Sequence, residues 1–377
     1  MRRQLSFFTN IPSPYNLDLF EALSNYFDLK VIYYAELEND RQWNLDTESK
    51  KYGSTVLKTN VLGKLIQKIK PQFHFSNGIL KECLNDNSEF VILGGNYFSP
   101  NTYLVLFLSL LRKKTIFWFG EKILPTELFV LKTIKRILLF PLFYSCKSIF
   151  CIGESAILSY KFYGFKGECF NIPYSINSSK FKKKNVEASQ LNSLLNSYNP
   201  DNKFVILTSG SLIKRKGIDI AIKSYLKLPP DLKGKSQLWI IGDGPLLKEL
   251  EKLDDKSGEI NFLGFIKPID LPYYFNCANL FVFPSRYDGW AVVINEALSA
   301  GLPIVVSSEV TASELIKNET NGYVCETEAI ESYTKAIEKL LTDEKLRARI
   351  IENNVIISEK IDSEMIANEM FRIISNV

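Results

Sequence analysis

The chain has 377 residues, 46% of them apolar and 23% charged, with a net charge of +4. That length favours two domains over one, and the balance is that of a globular protein rather than a disordered or fibrous one. A lone histidine, His74, and six cysteines without a C-x-x-C pair argue against a His-rich metal site, a Ser-His-Asp triad or a disulfide framework. No metal is expected, and the cysteines read as small core hydrophobes in a reducing compartment.

Residues 1–175 hold 21 Lys and Arg against 15 Asp and Glu, which leaves 25 against 27 for the remainder. The basic excess sits at Lys64, Lys68 and Lys70, at Arg112, Lys113 and Lys114, and at Lys132, Lys135 and Arg136, mostly beside apolar helix residues. Two readings stay open: solvated helix faces, or peripheral docking on an anionic membrane surface. Nucleic acid is not an expected partner, because no binding motif occurs and the pI of about 8.5 is modest.

Taken in chain order, short apolar strands alternate with longer helical patterns. Strands are expected at Gln4 to Thr9, Leu29 to Tyr34, Phe90 to Leu93, Thr115 to Phe119, Ser148 to Ile152 and Cys169 to Ile172. Helices fall near Tyr15 to Tyr26, Tyr97 to Arg112, Glu127 to Cys146 and Glu154 to Tyr163. Met1-Arg2-Arg3, the strand behind it, Pro12 and Pro14 lack the apolar region of a signal peptide, so the chain is expected in the cytoplasm. The longest apolar stretch, Tyr103 to Leu111, is too short to span a bilayer and is expected as a buried core helix.

The segment 178–202 is rich in Lys, Ser and Asn and reads as a linker between domains 1–177 and 203–360. A second βα series follows, with strands at Phe204 to Thr208, Leu238 to Ile241, Ile260 to Leu263, Leu280 to Phe283 and Pro303 to Val306. This rhythm predicts an α/β fold with two doubly wound parallel sheets.

The second series carries the chemistry. At 209–222, SGSLIKRKGIDIAI runs from a strand through Gly210 and a basic tip to Gly217 and a helix, so that helix-start N–H groups and Lys214, Arg215 and Lys216 suit an anion. It lacks the spacing of a Walker loop. Gly242-Asp243-Gly244-Pro245 is a tight strand-to-helix turn with Pro245 near the first helical turn, and Leu247 in place of a third glycine weakens a nicotinamide reading. In PSRYDGWAVVINEALSAG, at 284–301, Asp288 and Glu296 stand in largely apolar surroundings, with a helix expected over Ala291 to Ala300. A carboxylate there is costly unless it meets a ligand or a fixed polar partner.

These stretches resemble retaining glycosyltransferases of family 4, which have the GT-B fold, and FFTNIPSPYNLDLFEAL at 7–23 is similar to the opening of bacterial surface-polysaccharide members. The resemblance implies two Rossmann-like domains facing across a cleft, with the last helix, from about residue 361, returning to the first domain. The acid pair matches the family's acid-x7-acid element, with Asp288 where most members have Glu. It places Asp288 on the donor sugar and Glu296 on the nucleotide ribose. Arg215 and Lys216 fall on the donor diphosphate, with Gly210 and Ser211 beside them. The Gly242 and Gly244 turn sits near the donor. The backbone of Leu263, Gly264 and Phe265 reads the base, and Gly289, Trp290, Ala291 and Val292 present amides to the phosphates or sugar.

On the acceptor side the first domain offers Asn10, Pro12, Ser13 and Tyr15 after one strand, Gly95 and Asn96 after another, and Glu121 after a third. Glu121 is the choice for an acceptor contact or a base-like group, against the reading of a strand-end acid paired with Lys122. The expected catalytic set is Asp288, Glu296, Arg215, Lys216 and Glu121, with no cofactor.

The function implied is sugar transfer from a nucleotide-diphosphate sugar, UDP-linked before GDP-linked, to a lipid-linked or oligosaccharide acceptor in surface polysaccharide synthesis. Two alternatives remain: a GT-B sugar-nucleotide epimerase, and a non-catalytic nucleotide-sugar-binding subunit.

Overall fold

The computed structural model describes residues 2–37, 51–70, 72–126, 128–254 and 258–377, apart from the side chains of Pro14 and Tyr15. The chain divides into two compact units, Met1–Ile176 with Ser363–Val377, and Asn177–Asp362.

In chain order the first unit runs β1 (Gln4–Thr9), α1 (Pro14–Leu23), β2 (Asp28–Tyr33), β3 (Gly53–Val56), β4 (Lys58–Thr59), α2 (Val61–Gln67), β5 (Ser76–Asn77) and α3 (Ile79–Asn85). It continues with β6 (Phe90–Gly94), α4 (Pro100–Leu111), β7 (Thr115–Gly120), α5 (Phe129–Ser145), β8 (Ser148–Cys151), α6 (Glu154–Tyr163) and β9 (Glu168–Asn171). The second unit runs α7 (Ala188–Tyr198), β10 (Phe204–Ser209), α8 (Ile218–Leu226), α9 (Pro230–Gly234), β11 (Ser236–Ile241), α10 (Leu247–Glu251), β12 (Ile260–Gly264) and α11 (Leu271–Cys277). It ends with β13 (Leu280–Phe283), α12 (Val293–Ser299), β14 (Ile304–Ser307), β15 (Gly322–Cys325), α13 (Ile330–Thr342) and α14 (Glu344–Lys360), after which α15 (Ser363–Ser375) belongs to the first unit.

The first unit is built on a parallel sheet of order β3-β2-β1-β6-β7-β8-β9. Its central strands read as continuous apolar runs because both faces are covered by helices. One face packs Phe8, Val91, Leu93 and Trp118 under Leu106, Leu139, Leu142 and Tyr160 of α4, α5 and α6. On the other, the Phe7 ring meets Phe20 of α1 at 4.9 Å, and Tyr26 stacks on Phe371 of α15 at 5.1 Å. The last helix thus closes the first unit, as the family resemblance implies.

The second unit has a parallel sheet of order β12-β11-β10-β13-β14-β15. Ile206, Leu238, Ile240 and Val282 pack beneath α8 and α13 on one face, while Trp239 and Phe281 meet Tyr198, Tyr274 and Phe275 of α7 and α11 on the other.

Several expectations are corrected. Residues 178–202 are not a bare linker, because α7 folds there and the Leu191 carbonyl accepts from the Cys277 thiol of α11 at 3.8 Å. The helix over Tyr103 to Leu111 is only half buried, since Val105 and Leu106 enter the core while Phe107 is 60% exposed. Helix α12 starts at Val293 rather than Ala291, because Ala291 adopts a left-handed φ of 72° that no α-helix continues. Likewise α10 starts at Leu247, so Pro245 lies in the turn before it.

Candidate active site

In an open parallel sheet the loops diverge where neighbouring strands connect in opposite directions, and that switch point opens a crevice at the strands' carboxyl ends. In the second unit it falls between β10 and β13, so the loop from Gly210 to Lys216 and the loop from Pro284 to Val292 lie side by side.

The first loop ends in a 3-10 turn over Lys214–Lys216, followed by Gly217 and α8. Its shape is set by backbone contact with the neighbouring turn. The Leu212 N–H donates to the Asp243 carbonyl at 2.9 Å, and the Leu246 N–H donates to the Leu212 carbonyl at 3.1 Å. Gly242, at φ 138°, lies so close to Gly210 that a Cβ there would stand 1.9 Å from the Gly210 carbonyl oxygen. Only glycine fits that approach. A Cβ on Gly244 would meet the Leu212 backbone at 2.6 Å.

The cations and the first acid come together. Lys216 Nζ lies 2.5 Å from Asp288 Oδ2, and Arg215 Nη1 lies 3.3 Å from the same oxygen and 3.0 Å from the Tyr287 carbonyl. The Lys216 and Asp288 side chains are largely buried, while Arg215 is nearly half exposed. Lys216 Nζ also stands 5.2 Å over the Phe283 ring, an apolar wall that strengthens its charge interactions. The Asp288 main chain is fixed by its N–H to the Glu309 carbonyl at 3.2 Å and by the Thr311 N–H to its carbonyl at 3.2 Å.

A second network, which the sequence reading missed, clamps the basic turn from behind. Arg286 donates to both carboxylate oxygens of Asp219 at 2.8 and 2.9 Å and to the Lys214 carbonyl at 2.6 Å, while its N–H reaches the Arg215 carbonyl at 2.7 Å. Glu328 completes the clamp on the guanidinium. Burial pushes the Asp219 carboxyl up, but the hydrogen bonds and charge of Arg286 outweigh it and hold Asp219 below the usual carboxylate range. The signal was an Arg two residues before Asp288, which spacing alone does not distinguish from a solvated charge.

After Asp288 the chain passes Gly289 to Trp290, whose buried indole N–H donates to Asn295 Oδ1 at 2.9 Å, and then to Ala291 at its left-handed φ. A non-glycine residue held there signals strain maintained by its surroundings. Among the described residues, the N–H groups of Gly289, Trp290, Ala291 and Val292 have no backbone acceptor. Glu296 is half-buried on the first turn of α12.

Leu263 and Gly264 end β12, and the Gly264 carbonyl accepts from the Gly242 N–H at 2.8 Å, which ties this segment to the glycine turn. Ser211 is exposed on the first loop. Phe265 diverges from the ion-paired group: it is 71% exposed and lines a hollow of about 500 Å³ with Gln190 and Leu194 of α7 and Tyr273 and Tyr274 of α11.

In the first unit the switch point lies between β1 and β6, which places Asn10 beside Gly95. Asn10 Oδ1 is buried without a hydrogen-bond donor among the described residues, an orphaned acceptor at a strand end. Pro12 and Ser13 are buried, Tyr15 lies in α1 with its side chain outside the described set, and Asn96 Nδ2 donates to the Gln72 carbonyl at 3.1 Å. Glu121, exposed at the end of β7, accepts from the Tyr174 hydroxyl at 3.1 Å. Buried His74 lies elsewhere in this unit, near Gln67 and Ser99. Among the described residues no group of three or more His, Cys, Asp or Glu could hold a metal ion.

Residues 195–355 match the family described as Glycosyl transferases group 1. The alpha-D-kanosaminyltransferase of Streptomyces kanamyceticus is 31% identical over 180 residues, 47% of this chain and 46% of the relative. A capsular polysaccharide biosynthesis glycosyltransferase, CapM of Staphylococcus aureus, is 29% identical over 204 residues, 52% of each chain. The chain thus spans about half the length of the curated relatives it matches. The Anabaena HepE protein, crystallised with UDP, superimposes with a TM-score of 0.78 over 99% of this chain and 100% of its own at 18% identity, a likeness of fold. The architecture is therefore that of two Rossmann-like parallel-sheet units with GT-B glycosyltransferases as structural neighbours, and residues 195–355 are similar to the glycosyl transferases group 1 family.

Proposed function

We propose that this chain is a retaining glycosyltransferase that moves a sugar from a nucleotide-diphosphate sugar to a lipid-linked or oligosaccharide acceptor in bacterial surface polysaccharide synthesis. The observation that carries the reading is the pair of cations, Lys216 and Arg215, gathered on one largely buried carboxylate at the sheet's switch point. A diphosphate entering there competes with Asp288 for both cations, so that Asp288 orients them before the donor binds. UDP is the favoured nucleotide, a choice supported by the HepE complex, with GDP second. The capsular relative supports the polysaccharide setting.

Retention follows if the acceptor attacks the face from which the nucleotide diphosphate departs. The leaving phosphate oxygen then takes the acceptor proton, and the protein need only stabilise the growing charge. Lys216, Arg215 and the amides of Gly289 to Val292 do this by preorganised electrostatics, worth about 3 to 4 kcal/mol per well-placed donor. Glu296 binds the ribose hydroxyls, and Glu121 with Asn10 contacts the acceptor. The reaction so drawn uses no cofactor. An epimerase needs an acid and a base beside the sugar, and the fully buried His74 is poorly placed to be either.

The test is incubation of the protein with UDP- and GDP-sugars and product analysis by NMR. Slow release of nucleotide diphosphate and a free sugar of retained anomeric configuration is the expected result. Interconversion of sugars would establish the epimerase, and binding without turnover the non-catalytic subunit.

A further inference from the structure

A surface helix ordinarily turns its apolar stripe to the core and its charges to water. Helix α5 is apolar on both its inward and its outward sides. Leu139 and Leu142 pack on the sheet, yet the outward positions are also apolar: Phe129 is 80% exposed, Ile137 and Phe140 are each 66% exposed, and Val130, Ile134 and Tyr144 are exposed beside them. The neighbouring helices extend the patch, α4 with Phe107, Leu110 and Leu111, and α6 with Leu158 and Phe162. Together these side chains offer on the order of 1,000 Å² of apolar surface, above the few hundred Å² usual for the largest patch on a monomer.

Charge decides between occupants. Neither α4 nor α5 contains an acidic residue, and Arg112, Lys113, Arg136 and Lys147 are exposed around the patch. Lys132 and Lys135 lie along its flank, with the Lys132 ammonium 4.1 Å from the Phe162 ring and the Lys135 ammonium on the Leu124 carbonyl at 2.6 Å. An apolar centre with a mainly basic rim, whose exposed acids among the described residues are Glu154 at the start of α6 and Glu121 at the edge, fits acyl chains beneath anionic headgroups, with each basic side chain near the lipid worth about 1 kcal/mol. No helix among the described residues is long and apolar enough to cross a membrane, so the contact is with one leaflet.

We infer that the α4–α5–α6 face of the first unit is the surface by which this protein lies on an anionic lipid bilayer, with Phe129, Val130, Ile134, Ile137 and Phe140 inserted at the headgroup boundary. The patch begins at the candidate acceptor loop, because Leu124 and Leu128 are exposed on the connection from Glu121 to α5. On the proposed reading of a lipid-linked acceptor, which this last step rests on, a membrane-anchored head group would enter at the edge of the sheet that holds Asn10, Gly95 and Glu121.

The test is co-sedimentation of the full chain with vesicles of phosphatidylcholine alone and of phosphatidylcholine with about one quarter phosphatidylglycerol. The protein should pellet with the anionic vesicles and less at high salt. I137E/F140E should lose this binding by about tenfold or more while keeping its thermal midpoint and its hydrolysis of nucleotide sugar. K113E/R136E should lose the preference for phosphatidylglycerol. No pelleting of the natural chain, or pelleting unchanged in both variants, would overturn the inference. So would a dimer in sedimentation velocity that I137E/F140E dissociates, which would assign the face to a second copy. Vesicle binding needs no turnover, so it stands or falls apart from the transferase reading.

Discussion

The two units present equivalent crevices that are held together by different means. In the second, backbone meets backbone, as at Gly210 with Gly242, and ion pairs converge on Asp288 and Asp219. In the first, side chains line the crevice, where Asn10 reaches toward Gly95, its buried oxygen has no donor among the described residues, and Glu121 stands exposed. On the proposed reading, with the donor in the second unit and the acceptor in the first, the difference teaches where each kind of specificity resides. A diphosphate is the same in every nucleotide sugar and rewards a rigid, preorganised cation site. An acceptor varies from one enzyme to the next and is better met by side chains that substitution can alter without disturbing the fold.

Glycine substitutions break this comparison with the largest effect. In Gly242→Ala the new methyl must displace backbone, and a loss of about 3 to 5 kcal/mol in denaturant unfolding is expected. In Gly95→Ala the Cβ would meet Asn10 Oδ1 at 2.2 Å, the end of a movable side chain, so the cost is about 1 to 2 kcal/mol, mainly from its φ of 102°. Equal losses would show the two crevices to be equally rigid.

Charge removal sharpens it next. Lys216→Met should lower the turnover of nucleotide sugar by about 100- to 1,000-fold, whereas Glu121→Gln should leave hydrolysis without acceptor within about twofold and act only when acceptor is present. Glu296→Ala should weaken nucleotide binding by about 2 kcal/mol in calorimetry with the fold intact, and unchanged affinity would remove the ribose assignment.

The smallest effect concerns pH. Because Arg286 depresses the Asp219 carboxyl, the stability that this pair adds is present above the ordinary aspartate value near pH 4 and is lost as pH falls through the lower folded value. The natural chain should therefore lose more stability below about pH 4 than Asp219→Asn does, as thermal melts would record.

Much of this was legible in the sequence, for a physical reason in each case. Central strands such as Leu280–Phe283 are apolar on both faces and announce themselves. The edge strands Gly53–Val56 and Gly322–Cys325 went unnoticed, because a short strand with one covered side needs no such run. The basic turn and Asp288 were legible as types, but their convergence on one oxygen, the Arg286 clamp and the left-handed Ala291 arise from tertiary packing. The outward apolar face of α5 was hidden for another reason: hydropathy counts apolar residues without showing which way they point.

The central claim is that Lys216 and Arg215 receive a nucleotide diphosphate. Titration calorimetry of UDP and GDP into the natural chain and Lys216→Met tests it most directly. The account predicts that one nucleotide binds the natural chain and that the variant loses this binding, with its melting midpoint showing the fold retained. Equal affinity in the two proteins would contradict it.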